Sequence, residues 1–252
     1  MIFDPRAVPP SSWREWLLAG LALSTRRTGS FVAFGAVAVA LHGAAAAFDV
    51  GVVVVPIVLG VGCLLAECAD TGRSVVARLR EIRWPVGVRL LVAGVVPMLG
   101  FWLVGTAVTM AGRAVELAPQ SVPVAIGGGA TGGVIEALCA AWFLSVAAVL
   151  FGTSAVIAFL VPLLALGGVP LKEAVTLALV ASGRNVFAVV FVAALATTAI
   201  VGWLTPFLVV PWVAIVSSTF YAAWRDVFLG RSDNAPVRSA SVASEMPAAP
   251  AR

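Results

Sequence analysis

Charged side chains are scarce in this sequence. Lys, Arg, Asp and Glu make up 11% of its 252 residues, whereas hydrophobic residues make up 61%. A soluble domain carries about 25% charged residues, because its surface has to face water. The shortage of charge therefore excludes a soluble globular protein and predicts a polytopic membrane protein.

Residues that bind metals or take part in catalysis are also few. His42 is the single histidine, so neither bis-histidine haem ligation nor a histidine pair for a metal can form. We expect His42 at the outer end of the first span, as an interfacial polar residue or, alternatively, in a proton relay. Three cysteines, Cys63, Cys68 and Cys139, follow no metal-binding or disulfide pattern, and we interpret them as small buried residues. The sequence thus predicts no enzyme, no metal and no cofactor.

Long apolar stretches are what the sequence has in abundance. Each is close to the ~20 residues needed to cross the hydrocarbon core of a bilayer. They cover residues 29–48, 50–69, 86–111, 136–160, 186–203 and 205–224. If the N-terminus is cytoplasmic, all but one of the 16 Lys and Arg residues fall on the cytoplasmic side, the exception being Arg113. Because cationic loops stay in the cytoplasm, this sorting predicts a multi-pass membrane protein with both termini in the cytoplasm.

The basic character of the chain has two conceivable partners. A pI of about 9.6 would suit nucleic acid as well as an anionic membrane surface. The cations lie at the ends of spans, where they set orientation and meet anionic lipid head groups. We therefore expect the lipid bilayer and its anionic head groups as partners, and no nucleic acid.

Three amphipathic stretches are predicted on the cytoplasmic side. The first covers residues 12–26 and contains Trp13 and Trp16, which suit the depth of the membrane interface. The second covers residues 72–84 and the third residues 170–184. Helices of this composition lie in the interface plane. The predicted fold is therefore an all-α, six-span transmembrane bundle with three interfacial amphipathic helices.

The chain divides into a membrane domain and a tail. The six-span membrane domain covers residues 1–229. Residues 230–252 are rich in Ser, Ala, Pro and Arg, and this composition predicts a disordered cytoplasmic tail.

An amphipathic helix followed by a hairpin occurs three times, over residues 12–70, 73–160 and 170–226. Arg26 and Arg184 occupy matching places in the first and third units, 158 positions apart. A parallel internal repeat is one interpretation, and chance similarity between apolar segments is the other.

Three strings carry a family resemblance. They cover residues 12–17, residues 168–174 leading to Arg184-Asn185, and residues 221–228, where Tyr-Ala-Ala-Trp-Arg-Asp-Val-Phe closes the last span. Over residues 11–230 the chain resembles a family of uncharacterised six-helix inner-membrane proteins of proteobacteria. The group is also similar to the membrane domain that precedes some glycerophosphodiester phosphodiesterases. The resemblance implies a fold, but it implies no reaction, because no catalytic domain follows here.

Ionisable residues near span ends are the candidate site. A charged side chain exposed to lipid costs several kcal/mol, so such residues are paired or functional. They form a predicted polar cluster at the cytoplasmic face: Glu67, Asp70, Arg73, Arg184, Arg225 and Asp226. Ion pairs that anchor the helix ends are one interpretation, and a cluster that gates a cytoplasmic cavity is the other.

The predicted function follows from the scarcity of catalytic and metal-binding residues within the predicted spans. We expect a non-enzymatic membrane component, namely an accessory subunit, an assembly factor or a lipid-organising scaffold, which binds another membrane protein or self-associates. The alternative is a transporter or channel for a small or lipid-like solute. It is suggested by prolines that can break or kink spans: Pro56, Pro97, Pro162, Pro206 and Pro211.

Overall fold

The computed structural model describes residues 4–48, 51–81, 84–117, 152–197 and 208–230. Within these ranges the chain is all-helical, with nine helices and no strand. The helices are α1 (Ser12–Arg26), α2 (Thr28–Ala46), α3 (Gly51–Thr71), α4 (Val75–Glu81), α5 (Trp84–Leu117), α6 (Gly152–Ala165), α7 (Leu171–Arg184), α8 (Val186–Thr197) and α9 (Val209–Leu229). The predicted fold class is confirmed to this extent.

Among the residues that the structure describes, two or three helical segments are candidates for crossing a membrane. Thr28–Ala45 in α2 and Val53–Thr71 in α3 are long and apolar enough by themselves. They correspond to the first two predicted spans. Helices α7 and α8 qualify together, as one span bent by 108°. Such a bend is also what the sequence predicts where an interfacial helix meets a span.

The other predicted spans are described only in part. Helix α5 contains the whole of the third predicted span and continues to Leu117. Only residues 152–160 of the fourth predicted span belong to the described ranges. Most of the glycine-rich outer connection, Cys139 and the predicted tail from residue 231 onwards lie outside them.

Helix α9 lies at the centre of the described bundle. From Val213 to Val227 every residue except Ile215 is buried, and the helix packs against α1, α2, α3 and α8. The α6 residues Phe159 and Leu163 are also fully buried in the same apolar core. The last described helix is therefore the one against which α1, α2, α3 and α8 pack.

Glycines bring three helices into close contact with α9, namely α1 at Gly20, α2 at Gly35 and α3 at Gly62. A Cβ atom at Gly20 of α1 would lie 2.8 Å from the backbone nitrogen of Thr219. A Cβ atom at Gly35 of α2 would lie 3.0 Å from the Cα of Val210. Small residues allow this spacing because they leave the backbones free to approach. A larger side chain at either position would push the helices apart.

Helix α1 differs from the predicted amphipathic helix in the direction of one aromatic side chain. Its bounds agree with the predicted residues 12–26. However, Trp16, Gly20 and Leu23 are buried against the protein, and Trp13 stacks on Phe191 of α8 at 4.5 Å between ring centroids. Trp16 was expected at the lipid interface, but its indole points into the protein and donates a hydrogen bond to Asp226 of α9.

The first and third predicted units share local geometry. Arg27 ends α1 with φ −134° and ψ 45°, and Asn185, 158 positions later, ends α7 with φ −124° and ψ 29°. Gly72 follows α3 with φ +72°, and Gly230, again 158 positions later, follows α9 with φ +68°. Glycine favours this left-handed conformation at a helix end. These matches support the repeat interpretation for the two units.

Candidate functional site

The candidate site lies at one end of the bundle, which we call the polar end, where α3 and α9 finish. Asp70 near the end of α3 forms an ion pair with Arg225 near the end of α9. Phe159 of α6 packs against Phe228 of α9, with 5.9 Å between ring centroids. The short helices α1, α4 and α7 attach to the same end.

Asp70 joins α3 to α9 through one carboxylate oxygen. The Arg225 Nη1 and the Tyr221 hydroxyl each donate a hydrogen bond to Oδ2 of Asp70, both at 2.8 Å. The side chain of Arg225 is 9% exposed and that of Asp70 is 23% exposed. Charge-assisted hydrogen bonds in such shielded surroundings are stronger than exposed ones. This triad therefore fixes the register of the two helices.

Asp226, the next residue along α9, faces a different set of partners. The Trp16 Nε1 donates to its Oδ2 at 2.9 Å, and the guanidinium of Arg6 forms an ion pair with its Oδ1. The Arg6 Nε also donates to the backbone oxygen of Asp226 at 2.7 Å. Arg225 and Asp226 thus point to opposite neighbours, and each has its counter-charge outside its own helix.

Residues 4–8, which we call the leading segment, run across the corner between α7 and α8. The Asn185 Oδ1 accepts a hydrogen bond from the backbone nitrogen of Val8 at 2.8 Å, and its Nδ2 donates to the backbone oxygen of Arg6 at 3.1 Å. Arg184 forms an ion pair with Asp4 at 2.9 Å and also donates to the backbone oxygen of Pro5. Backbone without regular secondary structure is therefore held by side chains of the corner.

Helix α4 contributes a separate ion-pair group. Arg78 binds Glu67 of α3 at 2.9 Å and Glu81 of its own helix at 2.9 Å. Arg73 pairs with Glu81 at 2.7 Å. Burial opposes the charge of Arg78, but hydrogen bonds from its guanidinium to Glu67 and Glu81 outweigh that effect and raise its pKa. The group holds α4 against the end of α3.

The structure distributes the predicted cluster over several contacts. Of its six members, Asp70 and Arg225 bind one another. The remaining four pair with residues outside the predicted set: Glu67 with Arg78, Arg73 with Glu81, Arg184 with Asp4, and Asp226 with Arg6 and Trp16. The arrangement joins helix ends and the leading segment through ion pairs.

Sequence reasoning missed several residues of the polar end. Tyr221 could have been singled out, because it is the sole tyrosine and lies four residues before Arg225. Asn185 carried a weaker signal, as an amide directly after an amphipathic stretch. Arg6 had none, since its partner is 220 positions away.

Metal binding finds no support in the part of the chain that the structure describes, where no group of three His, Cys, Asp or Glu residues could hold an ion. Comparison of the chain with protein-family models, curated proteins and solved structures finds no match. The resemblance to inner-membrane proteins stays a prediction. Function is therefore argued from the geometry of the polar end.

Proposed function

We propose that this chain is a non-enzymatic integral protein of the bacterial inner membrane, which acts as an accessory subunit, an assembly factor or a lipid-organising scaffold. One observation carries the proposal. Each of the three short helices at the polar end exposes two large aliphatic side chains: Leu18 and Leu21 on α1, Val76 and Leu79 on α4, and Leu179 and Val180 on α7.

These exposed side chains are suited to the membrane interface. Burying apolar surface contributes roughly 25 cal/mol per Å², and the acyl boundary of a bilayer offers such burial to a helix lying in its plane. Cations accompany the aliphatic residues on the same helices, namely Arg14, Arg80 and Lys172. Anionic lipid head groups attract such cations on the cytoplasmic side. The polar end is therefore the cytoplasmic end in this proposal.

The interior favours a scaffold over the alternative, a transporter or channel. A transport path would need acidic side chains facing a polar cavity between the hairpins. Instead, Asp70 and Asp226 pair with cations of the same chain. Where α6 meets α9, Leu163 and Phe220 are fully buried in an apolar core. These side chains hold the helices together and pack the space between them, which supports a scaffold more than a transport path.

Photo-crosslinking in living cells tests the proposal. A benzophenone amino acid is placed at Leu18, Leu79 or Leu179. The matched control is Leu23, a residue of α1 that is buried against the protein. We expect adducts with a partner protein, with a second copy or with phospholipid at the exposed positions, and markedly fewer at the control. Equal adduct yields at all positions, together with recovery as a lone monomer from several mild detergents, would contradict it.

A further inference from the structure

The leading segment occupies a cleft whose groups recognise peptide backbone. On one side, Asn185 accepts from the nitrogen of Val8 and donates to the oxygen of Arg6. On the other side, the nitrogen of Arg6 donates to the backbone oxygen of Val227 at 3.0 Å. Backbone groups of the segment are thus bonded from both walls, in the way that a receptor binds an extended peptide.

The Asn185 amide is fixed in the orientation that this recognition needs. The residue is 4% exposed, and its Nδ2 also donates to the backbone oxygen of Ala181 at 2.9 Å. Because the nitrogen is held within α7, the oxygen is directed at the leading segment. The amide contacts backbone atoms only, so it would accept many sequences.

Charge recognition comes from Asp226 and Arg184. Asp226 is held by Trp16 in addition to its ion pair with Arg6, so its position does not depend on the segment alone. Arg184 binds the side chain of Asp4 and the backbone oxygen of Pro5. The cleft therefore selects an arginine at one position and tolerates an acidic residue two positions earlier.

The leading segment itself has the character of a bound ligand. It contains no regular secondary structure, and the side chain of Arg6 remains 45% exposed. Pro9 and Pro10 separate it from α1. Its described backbone hydrogen bonds go to the cleft, so it can leave without unwinding a helix.

We propose that the cleft between the α7–α8 corner and the end of α9 is a binding site for an extended, arginine-bearing peptide, and that residues 4–8 are its ligand within the same chain. The segment acts as an exchangeable clasp. Its release uncovers Asp226 and Asn185 for an equivalent segment presented from outside. This goes beyond the proposed scaffold function, and it holds whether or not a partner protein is recovered.

Binding of a synthetic peptide tests the inference. A fluorescein-labelled peptide of residues 2–10 is titrated, with anisotropy detection, against the full chain in nanodiscs. In the Arg6→Ala chain the internal ligand is weakened, and we expect the peptide to bind at least about tenfold more tightly than to the wild-type chain, because competition within the chain is reduced. The matched control is Arg14→Ala, which alters an arginine of α1 outside the cleft and should behave like wild type.

Variants of the peptide keep the test independent of folding. Replacing the peptide's own arginine by alanine should weaken binding to the Arg6→Ala chain by about tenfold, the typical loss of a charge-assisted hydrogen bond. A scrambled peptide and empty nanodiscs measure non-specific adsorption. If the Arg6→Ala chain binds no better than wild type, or if the native and alanine peptides bind equally, the cleft is not a peptide site.

Discussion

The indole Nε1 of Trp16 donates a hydrogen bond to Oδ2 of Asp226 at 2.9 Å, and this contact joins α1 to α9 across 210 positions of the chain. Both residues are buried. The buried carboxylate is also the anchor for Arg6, so one acidic group holds the leading segment, the first helix and the last described helix. The contacts of Asp226 therefore hold three parts of the chain together at the polar end.

Replacing Trp16 by phenylalanine is expected to lower the free energy of unfolding by about 1–2 kcal/mol, because a buried carboxylate loses one of its donors. Reversible unfolding in mixed detergent micelles measures the loss. The matched control is Trp13→Phe, since phenylalanine can keep the stacking on Phe191. Equal destabilisation by the two variants would show that ring size, and not the hydrogen bond, is what matters.

The ion pair between Asp70 and Arg225 should couple more strongly than the pair between Arg73 and Glu81. The first pair is shielded, whereas the second is 47% and 44% exposed. Double-mutant cycles with Asn and Gln substitutions should give a coupling energy of about 1–3 kcal/mol for the shielded pair and below about 1 kcal/mol for the exposed pair. The opposite order would mean that burial does not set the strength of these contacts.

Gly35→Val should destabilise the protein, and Gly43→Val should not. Both glycines belong to α2, but only the added Cβ at Gly35 would meet α9, at 3.0 Å from the Cα of Val210. Overpacking of this kind costs about 1–3 kcal/mol, whereas a Cβ at Gly43 meets nothing within 4 Å. Thermal unfolding of both variants in nanodiscs provides the comparison. A stable Gly35→Val variant would show that α2 and α9 can separate without loss.

Thiol labelling shows on which side of the membrane each end of the bundle lies: the polar end, and the opposite end at Phe48. In a chain whose native cysteines are replaced by alanine, we expect Phe48→Cys to react with a membrane-impermeant maleimide in intact cells. Arg80→Cys, at the polar end, should react only after the membrane is opened. Both side chains are exposed, so accessibility within the protein does not limit either reaction. The reverse pattern would place the polar end in the periplasm.

Local signals predicted the first and third short helices well, whereas α4 covers Val75–Glu81 and begins three residues after the start of the predicted stretch 72–84. The predicted bounds 12–26 coincide with α1, and the predicted stretch 170–184 differs from α7 by one residue. Helix α1 begins without a side-chain cap at Ser11. Instead, the nitrogen of Ser12 donates to the backbone oxygen of Pro9 at 3.0 Å. The amphipathic pattern was sufficient for these bounds, because it is set by residues within a few positions of one another.

Pairings across the bundle could not be predicted in the same way. Glu67 has Arg73 and Arg78 within a few turns, and the position of α4 decides that Arg78 binds it. The partners of Asp226 depend on how α1 crosses α9. The two helices can cross this closely because Gly20 has no side chain, and the sequence does not show that Gly20 faces α9. The cost of exposing charge to lipid indicated that these residues need partners, but which partner each one binds depends on how the helices pack.

The central position of α9 has a consequence for biosynthesis. Helices leave the ribosome in sequence order, so α1, α2 and α3 are synthesised before α9, which packs against Gly20, Gly35 and Gly62. During this interval the early helices lack the surface on which they pack, and Asp70 lacks Arg225. Completion of the described bundle therefore requires translation as far as residue 230.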